Sequence, residues 1–439
     1  MVHATNELIL GIDLNSDYTQ VTYWHPSVRE PMTLEANDVG TLSAGSAPAS
    51  KSNAGQNEEA SMQIAPGIRK DANGSWSLWD GMSGSDTGIR FAHVFEKIRR
   101  QEPLEGGGMV FEPDEILAAY LELCISGLKL LTENTTLQVM VTVRYLTEAL
   151  NEVIVQALQR MGVNRGQIYV QDYLSSFYSY AVSQKKELWA QDVALLTWEE
   201  EAVVGYVLHI DYSTKPAIAR VEEAARQPMG DAVRQDRQEE DWRKEKDRLF
   251  FELLKKVFER RQVSASYLMG DYFNKSWAVR SIQFLCTGRR AYQGMNLYSK
   301  GACYAALERA GLVPSSGIIY GGRDMVDRNI GMEMTIRGKE SFYPLADAGV
   351  NWYEVHHVCE FILHGEREIR VISRPMTPGD ATVHIMRLPG LPKRPDRATR
   401  LRLTLYFSAP SCCHIDVEDL GFGGLYKASG LSWSRDIRF

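Results

Sequence analysis

The sequence predicts an α/β domain followed by an all-β module, and three observations carry that expectation. Between residues 137 and 184 the hydrophobic period switches repeatedly: strand 137–143, helix 147–161 stopped by Gly162, strand 167–170, then helix 173–184. Residues 8–24 read as a hairpin close to the start of the chain. Beyond Ile318 helical spacing gives way to short runs of strand character separated by Gly, Pro and Asp turns.

In the hairpin, Leu8, Ile9 and Leu10 lead through Gly11 and Ile12 to Asp13. Asn15, Ser16 and Asp17 form a polar bend, after which Thr19, Val21 and Tyr23 alternate with polar residues. Such a bend can aim backbone N–H groups at a phosphate while Asp13 orients a hydrated cation, although an ordinary antiparallel hairpin accounts for the same residues. Residues 37–75 are rich in Ser, Ala, Gly and Asn and read as a flexible surface insertion. The apolar pattern resumes at Trp76, Leu78 and Trp79. A turn at Gly106, Gly107 and Gly108 then precedes Glu112, Pro113, Asp114 and Glu115, a helix start expected to run to about Thr132.

Strand 193–197 meets Glu199, Glu200 and Glu201, and 203–208 looks like its hairpin partner. Residues 231–261 suggest a long amphipathic helix burying Trp242, Leu249, Phe250, Leu253, Leu254 and Val257. Strand 264–269 enters a turn at Gly270 and Asp271. After a further helix, Lys300, Gly301 and Ala302 open another whose small residues allow close backbone approach. In the last module the strand candidates are 332–337, 354–363, 369–373, 383–388, 401–407 and 414–417, consistent with a sandwich.

Composition excludes some functions. A chain of 439 residues, 44% hydrophobic and 10% aromatic, buries a sizeable core. A net charge of −7 and a pI near 5.8 argue against a general nucleic-acid binder, which needs a concentrated basic surface. The six cysteines lie mostly in apolar segments without C-x-x-C spacing, so buried, reduced thiols in a cytoplasmic protein are expected. Neither a signal peptide nor a membrane-spanning apolar run is evident, so no membrane partner is expected. The histidines suggest no metal set, since His356 and His357 point to opposite faces of a strand, and no Ser-His-Asp grouping can be inferred.

Read in order, these pieces resemble the actin-like ATPase superfamily, and most closely the DnaK-type heat-shock chaperones, over nearly the whole chain. Gly11-Ile-Asp-Leu14 is similar to the first phosphate loop. The strand from Val139 with its following helix and Gly162 resembles the pair before the first connecting motif, which is itself similar to residues 171–181. Residues 267–271 resemble the adenosine motif and Lys300-Gly301-Ala302 the second connecting helix. In the β module, residues 388–395, 401–407 and 415–419 resemble the chaperone substrate-binding sandwich.

The resemblance implies a two-lobed actin-like fold over residues 1–315, followed by a β-sandwich over 318–439. It makes Gly11, Asp13, Asn15, Ser16, Gly270 and Asp271 the candidate cofactor-binding residues, with ATP or ADP and magnesium bound weakly if at all. Asp13 and Asp172 are candidate catalytic remnants, with Asp172 first of all a plausible N-cap. The departures are informative. Where the family carries an acid, a Gly triplet and Thr, this chain has Thr197-Trp198-Glu199-Glu200-Glu201-Ala202. Carboxylates add bulk and put negative charge beside an anion, and one like-charge pair at about 4 Å costs roughly 4 kcal/mol at a surface-like dielectric.

The catalytic lysine and apolar linker are not evident, and with Phe439 last no helical lid is expected. The expectation is therefore a DnaK-like protein that binds polypeptide or a partner protein, with a degenerate, non-hydrolysing nucleotide pocket. Its rivals are an ATP-driven chaperone with an altered loop, an actin-like scaffold and a sugar-kinase relative.

Overall fold

The computed structural model describes residues 6–36, 62–71, 73–81, 88–128, 135–230, 239–365, 367–377 and 379–439. The chain forms two compact units: Met1–Ile210 with Ala219–Ile318, and Asp211–Ile218 with Ile319–Phe439. It is a mixed α/β protein with several sheets. Among the described residues no helix is long and apolar enough to cross a membrane.

The first unit begins with β1 (Asn6–Leu14), β2 (Thr19–His25) and β3 (Glu30–Thr33). A small sheet follows from β4 (Gly67–Lys70), β5 (Trp76–Trp79) and β6 (Ile89–Phe91), then α1 (Val94–Arg99). The short strands β7 (Glu105–Gly106) and β8 (Met109–Val110) turn on Gly107 and Gly108, whose φ values of 60° and 77° suit a tight hairpin loop. Next come α2 (Pro113–Ile125), β9 (Thr135–Val143), α3 (Glu148–Arg160), β10 (Ile168–Asp172) and α4 (Tyr173–Val182). Thr147 caps α3 by accepting from the Leu150 N–H, and Gly162 takes the left-handed conformation just past its end.

The remaining elements of the first unit are β11 (Asp192–Glu199), β12 (Ala202–Asp211), β13 (Ala217–Pro228), α5 (Glu239–Phe258), β14 (Val263–Met269), α6 (Val279–Cys286), β15 (Arg290–Gly294) and α7 (Leu297–Arg309). Strand β16 (Ile318–Tyr320) lies at the boundary between the units.

One sheet of the first unit has the order β10-β9-β1-β2-β3, the other β15-β14-β11-β12-β13 over these strands. In each, an antiparallel pair (β1 with β2, β11 with β12) continues on the side of its first strand into two parallel strands. The same strand order thus occurs twice.

Helix α7 packs on β1 so closely that a Cβ at Gly11 would collide with the Ser299 carbonyl oxygen and the Cys303 backbone nitrogen. At the crossing of α7 with α4, a Cβ on Gly301 would strike the Ser176 carbonyl. Small residues here are therefore packing requirements.

The second unit is a sandwich of β17 (Arg328–Ile336), β18 (Lys339–Ala346), β19 (His356–Ile362), β20 (Glu368–Pro375), β21 (Thr382–Arg387), β22 (Arg400–Ala409), β23 (Cys412–Gly421) and β24 (Ser432–Arg438). Its sheets run β18-β17-β20-β21 and β19-β22-β23-β24. They share one core, to which Ile330, Val371 and Met386 contribute from the first sheet and Leu403, Ile415 and Ile437 from the second. Alternate residues of β22 face inward, as the period of a sheet buried on one side requires. Arg394 grips the buried Asp419 with two parallel bonds of 2.7 and 2.8 Å.

Several expectations need correction. The helix entered at Pro113 stops at Ile125 rather than near Thr132, and 129–134 fall outside the described residues. Of the surface insertion assigned to 37–75, residues 37–61 are outside the described residues. Residue 72 is outside them too, and among the others Ile64 bridges Thr19, while both Ile64 and Ile68 are buried in the core. The helix expected over 231–261 is described from Glu239 to Phe258. Cys286 is exposed. Strands β13, β15, β18 and β24 were not legible. In β13 the exposed Glu222, Glu223 and Arg226 mask a strand whose buried residues cluster in its first half.

Candidate functional site

Strand β1 carries Asp13 into a fully buried position, where the Tyr173 hydroxyl donates to Oδ1 at 2.6 Å. Asn15 Nδ2 donates to the same phenol oxygen at 3.1 Å. The Tyr173 ring, first in α4, stacks on Tyr298 from the first turn of α7, with centroids 4.0 Å apart and planes 12° apart. The Tyr298 hydroxyl in turn lies near the Thr197 side chain of β11. A continuous line of side chains, Asp13, Tyr173, Tyr298 and Thr197, therefore joins the first hairpin to the second. The Arg144 guanidinium lies 5.8 Å from the Tyr173 ring centroid. Asp13 Oδ2 meets no partner among the described residues.

Burial pushes the Asp13 carboxyl up to about 7, against the opposing pull of the Tyr173 bond and Arg144. Burial, reinforced by the Asp13 charge, also raises the Tyr18 and Tyr173 hydroxyls well above their ordinary range. These phenols are neutral donors at any ordinary pH.

The other sequence candidates are held elsewhere. Asp172 is the N-cap of α4 and accepts from the Ser175 N–H at 2.7 Å and the Ser175 hydroxyl at 2.6 Å. Ser16 donates to Glu96, and its carbonyl faces His93 Nδ1 at 3.0 Å. Gly11 lies inside β1 under α7, ahead of the bend at Asn15, Ser16 and Asp17. Gly270 has φ 94° and bonds to Gly294 and Gln293, while Asp271 is exposed; their hydrogen bonds do not run to the Asp13 cluster.

The Glu triplet also differs from expectation, because its three carboxylates do not act together. Glu199 ends β11 facing inward and is buried, accepting from the Tyr206 hydroxyl at 2.9 Å and from Arg226 at 3.1 Å. Arg226 comes from β13, which the sequence did not reveal. Glu200 and Glu201 form the exposed two-residue loop, with Glu200 at φ 53° and its carbonyl accepting from the Trp198 indole at 2.8 Å. One acid of the three is thus neutralised in the interior, and two are solvated.

Sheet register builds a surface grouping that spacing could not suggest. Ser408 Oγ lies 2.6 Å from His414 Nε2, and His414 Nδ1 lies 2.7 Å from Asp436 Oδ1. The pairing of His414 with Tyr406 and with Asp436 across β22, β23 and β24 sets this line, and the imidazole stacks on Tyr406 at 5.0 Å. Ser408 and Asp436 are exposed, so the grouping has the connectivity of a nucleophilic triad without its exclusion of water.

Two repeated sheets, joined across their hairpins by buried tyrosines, define the protein structurally. By sequence it belongs to a family of unknown function (DUF5716), whose C-terminal model matches residues 80–322, more than half of the chain. A second model, a domain of unknown function (DUF8552), matches residues 325–439. A search of curated proteins gave no match.

Proposed function

We propose that the chain is an actin-like, DnaK-type protein that binds polypeptide or a partner protein and whose nucleotide pocket is degenerate. The strand order that occurs in both sheets of the first unit, each beginning with a hairpin, supports the two-lobed reading. The observation that carries the loss of nucleotide chemistry is the Asp13–Tyr173–Tyr298 line. The acid that would orient a hydrated cation is buried against a phenol, and stacked aromatic rings stand between the hairpins that would face a phosphate. Tyrosine rings offer no dense array of backbone N–H groups for an anion.

Polypeptide capture is supported by the sandwich. Its edge strands β19 and β21 expose Val358, Ile362, Val383 and Ile385, apolar side chains along the outer edges of the two sheets. The cysteines are free thiols, and a cytoplasmic location belongs to the same reading.

The test is calorimetric titration of the whole protein with ATP, ADP and adenosine in magnesium, together with ATP turnover. The expected outcome is background turnover and no preference for ATP over adenosine. The ATP-driven alternative draws on the unpartnered Asp13 Oδ2, and a steady turnover abolished by Asp13→Ala would favour it. For the partner role, Val383→Asp with Ile385→Asp should weaken capture of extended apolar peptides by the full chain. Undiminished capture would reject that edge.

A further inference from the structure

A cleft of about 370 Å3 lies among α4, the ends of β14 and β15 and the start of α7, and it shares no side chain with the Asp13 cluster. Its walls include Tyr180, Tyr267 and Tyr292, the thioethers of Met269 and Met295, and Lys300. Tyr267 and Tyr292 stack at 5.4 Å with planes 18° apart, and Tyr180 meets Tyr267 edge-on at 5.5 Å. The stack is buried at one end and open at the other, since Tyr267 is 5% exposed and Tyr292 38%. Burial raises the Tyr267 hydroxyl above its ordinary range, and the neighbouring Tyr180 and Tyr292 side chains add to this.

Lys300 makes this more than an aromatic gap. It is half-buried, and burial pushes its ammonium below the ordinary lysine range, offset only by attraction from Glu30. No ion pair or hydrogen bond holds it among the described residues. A partly desolvated cation held by no direct ion pair is costly, and an arriving anion relieves that cost. Flat aromatic faces, polarisable sulfur and a single charge in a cleft of this size form a small-molecule site.

We infer that this cleft binds a small flat aromatic molecule bearing one anionic group, its ring on the open face of Tyr292 and its charge on Lys300. One ammonium suits a carboxylate or sulfonate; a triphosphate would bring several charges to a single cation. The cleft takes in Tyr267, Met269 and Lys300 from stretches that resemble chaperone motifs, but the inference rests on its side chains alone.

The experiment titrates the full chain with 2-naphthoate, alongside cyclohexanecarboxylate, which keeps the charge without the ring, and 2-naphthalenemethanol, which keeps the ring without the charge. Saturable binding of 2-naphthoate is expected in the range of about 10–100 μM, with each comparator at least about tenfold weaker. Lys300→Met should remove the preference for the anion over the neutral alcohol while retaining aromatic binding. Tyr292→Leu should weaken 2-naphthoate at least about fivefold, and Lys256→Met, on the exposed side of α5, should change nothing. The alcohol still binding in Lys300→Met distinguishes a lost contact from a lost fold. Absence of saturable binding up to about 5 mM, equal affinity for the comparators, or indifference to both cleft variants would overturn the inference.

Discussion

Asp13 illustrates how burial converts a familiar residue type into a different chemical object. Its folded value of about 7 stands above the ordinary 3.8, so between those values the unfolded chain has released a proton that the folded chain retains. Its contribution to stability therefore falls as pH rises through that window, by up to about 1.4 kcal/mol per pH unit, and is constant above it. Asp13→Asn keeps an oxygen for the Tyr173 hydroxyl and removes the penalty. The variant should match the wild type near pH 4 and exceed it in denaturant midpoint near pH 8, a difference that vanishes if the carboxylate is well solvated.

Asp419 behaves oppositely. The Arg394 bonds hold its carboxyl well below the ordinary range despite burial, so its contribution is present above about pH 4 and is lost as pH falls. Arg394→Met leaves Asp419 buried without its counter-charge, held by the Gly421 and Ser429 N–H groups, and should cost about 3 kcal/mol in equilibrium unfolding.

At the scale of elements, the two close contacts of α7 are the sharpest constraints. Gly11→Ala or Gly301→Ala forces a methyl group into backbone, which should lower stability by about 1–3 kcal/mol, with the larger loss where the helices cannot separate. A thermal shift of either variant within error of wild type would show that α7 slides easily. The line Ser408, His414 and Asp436 belongs to this scale because three adjacent strands create it. With both ends in water, His414→Ala should leave p-nitrophenyl acetate hydrolysis by the protein unchanged. A loss of activity in that variant would instead make the grouping a working nucleophile.

For the molecule as a whole, tyrosines fill the space between the two hairpins, so nucleotide should bind too weakly to bias folding. A ligand at its Kd adds only about 0.4 kcal/mol, so ATP with magnesium at about 1 mM should leave the melting temperature essentially unmoved. A shift of several degrees would mean that the tyrosine line opens to admit a ligand.

The sequence by itself determined many of the helices and strands, though not β13, β15, β18 or β24, as well as where α3 and α4 begin and that strands dominate beyond Ile318. These follow from periods of 3.6 and 2 and from local caps such as Thr147 and Asp172, whose partners lie three residues away. It also marked Gly301 and its small neighbours as a place of close approach. Only the tertiary structure decided that Tyr173 would meet Tyr298, that Arg226 would neutralise Glu199, and that Ser408, His414 and Asp436 would align. Each of these contacts depends on sheet register or helix crossing between residues distant in the chain, where a one-residue slip would turn every side chain away.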